Sequence, residues 1–110
     1  MDIKTAIEKL EHEWDRVPAN ADGFFPQLWA GVFSDAAFQR VLSILKTVDV
    51  PQNVGEGEYL YRRLVGLTWI IPTYIDWRRE EWKEQGKDTT KLDEAMDAVS
   101  GPLLRILGEP

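Results

Sequence analysis

The residues best equipped for chemistry in this 110-residue sequence are carboxylates. Glu81-x-x-Glu84 and Glu94-x-x-Asp97 are two acidic pairs at helical spacing, with residues 85–93 between them. Carboxylate oxygens are natural ligands for Mg²⁺. Four of them on adjoining helices could hold an ion for metal-assisted hydrolysis. The one histidine, His12, has Glu8 four residues before it and Asp15 three after, so all three share a helix face. Imidazole and carboxylate together also suit a divalent ion. No HExxH pattern or second histidine supports that use, and the simpler reading is a solvated charged face. Nucleophilic catalysis has less to build on. Cysteine is absent, Ser34 and Ser100 read as cap or break residues, and a single histidine leaves little from which to assemble a triad. Gly55-Glu-Gly57 lacks the Lys-Ser/Thr sequel of a phosphate loop.

The pairs Glu81-x-x-Glu84 and Glu94-x-x-Asp97 resemble the paired acidic motifs of the all-α nucleotide pyrophosphohydrolases. The resemblance is confined to residues 81–97. It implies a Mg²⁺-dependent enzyme in which Glu81, Glu84, Glu94 and Asp97 hold the metal. The sequence departs from the family pattern, because its pairs are closer together and lie near a hairpin tip. Lys83, Lys87 and Lys91 also interleave with the acids and would compete with a metal. This enzyme is the alternative reading.

The favoured reading starts from Trp77, which lies among Arg78, Arg79, Glu80, Glu81 and Glu84. Trp77 is two positions after Ile75 and so about 200° around a helix from the apolar stripe. An aromatic rimmed by charge has the composition of a binding hot spot; packing against a neighbouring helix is the rival placement. Residues 76–97 hold five Lys+Arg and eight Asp+Glu, a local net of −3. Arg62-Arg63 and Arg78-Arg79 therefore read as members of a salt-bridged surface, not as a phosphate grip. The expected partner-binding residues are Trp77, Glu80, Glu81, Glu84, Asp93, Glu94 and Asp97.

Helices must position these groups. Ile3, Ile7, Leu10 and Trp14 form one apolar stripe, with Asp2 as the N-cap. Lys4, Glu8, Lys9, Glu11, His12, Glu13 and Asp15 form the opposite, polar face. Residues 18–23 read as a loop. Pro26 opens a short helical piece over 27–33. Ser34 then caps a helix carrying Phe38, Val41, Leu42, Leu45 and Val48. Residues 49–58 are irregular. Residues 59–84 carry Leu60, Leu64, Leu67, Ile71, Ile75 and Trp82, with Pro72 kinking one helix or separating two. Gly86 suits a left-handed stop. Leu92, Met96, Val99, Leu103 and Ile106 continue in one phase through Gly101-Pro102 to Gly108. Trp14, Trp29 and Trp69 fit core positions, and Trp82 continues the buried stripe. The expectation is an all-α, irregular antiparallel bundle of four main helices in a single domain over 1–110, kinked or broken at Pro72 and at Gly101-Pro102.

Composition sets the function classes. The 44% hydrophobic residues suffice for a folded core, and no stretch of about 18 residues lacks charge. A net charge of −6 disfavours nucleic acid. No secretory signal is legible at the N-terminus, and the lack of cysteine fits a reducing compartment, so a cytoplasmic, bacterial setting is expected. The favoured function is a non-enzymatic acidic binding module of the immunity or antitoxin kind, without cofactor or membrane. It would neutralise a basic toxin or nuclease domain by direct contact, as a monomer or homodimer. A purely structural homo-oligomer is the third option.

Overall fold

Pro72 decides how the longest apolar stretch folds. In the computed structural model, which describes residues 1–15, 22–50 and 58–108, that stretch is two helices. α4 spans Glu58–Thr68 and α5 spans Ile71–Glu84. Proline has no N–H to donate to the carbonyl of Thr68, and its ring would press on that carbonyl. The chain therefore stops at Thr68 and restarts with proline in the first turn of α5, where the missing N–H is harmless. The Thr68 hydroxyl donates to the Leu64 carbonyl at 2.9 Å. The other helices are α1 (Ile3–Trp14), α2 (Phe24–Trp29), α3 (Asp35–Thr47) and α6 (Thr90–Leu107). The six helices among the described residues are the four main ones expected, with the third divided at Pro72 and one short extra piece added. The short piece starts at Phe24 and ends at Trp29, ahead of the range read from the sequence. The predicted stops and loops within 16–21 and 51–57 lie outside the described residues.

The ends of the elements follow local chemistry. Asp2 accepts from the Lys4 N–H at 2.8 Å and starts α1; Ser34 accepts from the Ala37 N–H and starts α3. Gly86 has φ of 75°, a conformation that glycine adopts without a Cβ penalty, and it turns α5 into α6. No interruption occurs at Gly101-Pro102: α6 is helical from end to end. Leu92, Ala95, Val99, Leu103 and Ile106 are buried on both sides of Pro102, and this continuous packing outweighs the lost hydrogen bond.

Buried residues of all six helices join one core. α1 packs on α4, and α6 packs on both α3 and α5. The short α2 is wedged beside α1 and α3 and carries the aromatic centre. Trp14 stacks on Phe25 at 3.6 Å between centroids, and Tyr74 meets both rings edge-on. The Tyr74 hydroxyl donates to the Phe25 carbonyl and Trp14 Nε1 to the Leu67 carbonyl, so α4 and α5 are tied to α1 and α2. At the far end Arg105 donates to the Leu45 and Val48 carbonyls, joining α6 to the last turn of α3.

Two tryptophans depart from their expected places. Trp29 is 55% and Trp69 58% exposed. Trp69 falls in the turn forced by Pro72, so the register that would have buried it ends one residue earlier. Trp29 is the last residue of α2, and its ring lies under the Arg78 guanidinium, 5.1 Å from the centroid. Trp82 is buried as its stripe predicts.

Candidate functional site

The expected site residues divide between two helices and two faces. On α5, Ile71, Tyr74, Ile75, Arg78 and Trp82 are buried. At about 100° per residue, the opposite side presents Thr73, Trp77, Glu80 and Glu84, all exposed. Trp77 is 60% exposed, so its alternative placement against a neighbouring helix does not hold. On α6 the exposed side presents Glu94, Asp97 and Leu104.

A hairpin at Gly86 taken alone would set Glu84 near Lys91 and Glu81 near Glu94, but among the described residues Glu81 and Lys91 pair elsewhere. The residue of α5 that reaches α6 is Arg79: its guanidinium lies 3.4 Å from Asp93 and also pairs with Asp76 at 2.5 Å. Glu81 is two positions further on, about 200° around the helix. It pairs instead with Arg78 at 2.6 Å, on the side where Arg78 donates to the Trp29 carbonyl. Lys91 turns to α3 and pairs with Asp35 at 3.0 Å. The hydrogen bond from Lys91 to Asp35 is the main cause that holds the lysine pKa above its ordinary value. Among the described residues no three His, Asp or Glu side chains gather as a metal site. Neither the quartet read for Mg²⁺ nor the trio Glu8, His12 and Asp15 gathers, and Asp15 lies just past the end of α1.

The acids also differ in what they face. Glu80 lies 3.8 Å from Arg79, and Glu81 and Asp93 are paired with arginines. Glu84, Glu94 and Asp97 form no ion pair within 4.0 Å among the described residues. Ions in water with no fixed partner are available to a cation on another molecule. The hairpin tip itself is well tied. Asp88 accepts from the hydroxyl and backbone N–H of Thr90, and these bonds, the hydroxyl first, lower its pKa.

A second locus escaped the sequence reading. Glu13, assigned there to the polar face of α1, is only 2% exposed. Its Oε2 accepts from the Phe24 N–H at 2.9 Å, satisfying a donor at the start of α2. Its Oε1 accepts from Arg40 Nε at 2.8 Å. Arg40 Nη2 donates to the Asp22 carbonyl at 2.8 Å, and His12 Nε2 lies 3.3 Å from Asp22 Oδ1. These groups border a cleft of about 620 Å³ between α1 and α3. Both partners of Glu13 are remote in sequence, so helical period alone could not mark it as buried. The available signal was Gly23. A Cβ there would lie 2.7 Å from the Glu13 carbonyl oxygen, so glycine lets the start of α2 approach α1 closely.

Compared with known proteins, the chain matches no family model, no curated protein and no solved structure. Among the described residues no helix is long and apolar enough to cross a membrane.

Proposed function

We propose that this chain is a non-enzymatic binding protein of the immunity or toxin-inhibitor kind, which neutralises a basic bacterial toxin or nuclease domain by covering its cationic surface. A cytoplasmic setting belongs to the same proposal. The observation that carries it is the outer face of α5, where exposed Trp77 is in line with Glu80 and Glu84. A large aromatic supplies contact area at low entropic cost, and desolvating it on a partner supplies affinity. The exposed carboxylates beside it, of which Glu84 has no ion pair among the described residues, attract a cationic partner at long range and speed encounter. The net charge of −6 extends that field over the whole molecule. Glu94 and Asp97 on α6 add to the field, while Glu81 and Asp93 are already engaged and serve the fold.

Paired baits test this reading. The native chain and a Trp77→Ala/Glu80→Lys/Glu84→Lys chain are each used to capture proteins from the source cell. A basic protein held stoichiometrically by the first and lost by the second is the expected result. Capture of the same proteins by both baits, or of acidic proteins only, would refute it.

A further inference from the structure

The cleft between α1 and α3 is on a different part of the molecule and is built for a different kind of ligand. Lys9, His12 and Glu13 recur at three and four residues along α1, and Ala36, Gln39, Arg40 and Ser43 do the same along α3. Each set occupies one helix face, and the two faces border the cleft. Its volume of about 620 Å³ is in the usual range for a small-molecule site. Ile44 and Ala36 give it an apolar side.

Arg40 is the organising group. Its Nε is fixed on buried Glu13 and its Nη2 on the Asp22 carbonyl. Two fixed acceptors hold the guanidinium plane in one orientation, which removes most of the entropy that an arginine loses on binding. Nη1 donates to nothing among the described residues, so one edge of the fork is left for an oxyanion. Lys9 lines the same cleft and has no ion pair among the described residues. Of the two carboxylates that border the cleft, Glu13 is occupied by Arg40 and the Phe24 N–H, and Asp22 points an oxygen at His12 Nε2, 3.3 Å away. An oriented arginine with a free Nη1 and an unpaired lysine on the wall of one cleft offer two cationic donors to an anion.

We infer that this cleft binds a small organic anion, with a carboxylate or phosphate held by Arg40 and Lys9 and an apolar body against Ile44 and Ala36. The site stands independently of the α5 face, so neither proposal depends on the other.

Titration of the full chain with phenyl phosphate, benzoate, inorganic phosphate and benzyl alcohol, read by backbone amide shifts, tests it. Phenyl phosphate or benzoate should saturate, with shifts confined to α1, α3 and residues 22–24. Whichever of the two binds tighter identifies the head group. Inorganic phosphate should bind more weakly and benzyl alcohol not at all. Lys9→Gln should weaken binding about tenfold, the loss of one charge-assisted contact. Arg40→Lys, which keeps the charge but not the fork, should cost about as much. Ala36→Trp, at an exposed position, should fill the cleft and abolish binding. Lys9 is exposed and unpaired, so Lys9→Gln decides the matter should the tryptophan variant not fold. The inference fails if neither aromatic anion saturates by about 10 mM, if benzyl alcohol binds as well, if the shifts lie elsewhere, or if Lys9→Gln leaves affinity unchanged.

Discussion

Glu13 and Glu84 are the same residue type at similar positions, each near the C-terminal end of an amphipathic helix, yet they do opposite things. Glu13 is buried and joins three helices through the Phe24 N–H and Arg40. Glu84 is exposed and has no ion pair among the described residues. A carboxylate leaves water only where fixed donors replace its hydration. The start of α2 and Arg40 supply those donors at one end of the molecule; among the described residues no such donor is paired with Glu84. The comparison separates acids that build the fold from acids that are free to meet another molecule.

Substitutions can break that distinction. Glu13→Ala should have the largest effect. It leaves the Phe24 N–H unsatisfied and removes the anchor of Arg40, a loss of about 3 kcal/mol measured by urea unfolding. Arg40 is itself half-exposed, so water recovers part of the cost. Gly23→Ala should follow at about 2 kcal/mol, because its Cβ meets the Glu13 carbonyl oxygen at 2.7 Å and the backbone must shift. Arg105→Gln should cost about 1 kcal/mol through the two α3 carbonyls it abandons. Glu84→Lys should change stability by less than about 0.5 kcal/mol, as expected for a free surface group. A large loss from Glu84→Lys, or a small one from Glu13→Ala, would erase the distinction.

The pH dependence sharpens it at the small end. Asp2 and Asp88 have lowered pKa values, caused first by the hydroxyls of Thr5 and Thr90. A carboxyl with a depressed folded pKa stabilises the fold above its unfolded pKa, and that contribution is lost as pH falls through the folded value. Lys91 has the opposite sign. Its raised pKa gives stability that is present below the unfolded lysine value and lost as pH rises through the folded one. Carboxyl and amine titrations by NMR should show Asp2 and Asp88 below, and Lys91 above, their values in the unfolded chain. Ordinary values at all three would remove the threonine-hydroxyl bonds of Asp2 and Asp88 and the Lys91–Asp35 pair from the account.

Sequence patterning was a good guide wherever one helix decides its own fate. The stripes of α1, α3 and α6, the caps at Asp2 and Ser34, the stop at Gly86 and the burial of Trp82 were all legible, because each depends on neighbours within a turn or two. Helical spacing also put Trp77 off the apolar stripe, but it left open whether a neighbouring helix covers the ring, and the structure leaves it exposed. What depended on remote partners was not. Trp69 became exposed because Pro72 resolved into a break, and Trp29 because α2 ended beneath Arg78. Glu13, Asp22 and Arg40 meet across 9 to 27 positions of sequence, and no periodicity reports that. The grouping of Glu81 with Glu94 failed because a hairpin alone does not say which side of α5 faces α6; Arg79 and Asp93 do.

The proposed capture of a cationic partner by the α5 face is tested most directly by the association rate with the captured partner, followed as salt rises. Acidic steering predicts a rate that falls steeply with ionic strength, and a Glu80→Lys/Glu84→Lys chain that starts slower and responds less. A rate indifferent both to salt and to these substitutions would contradict the account.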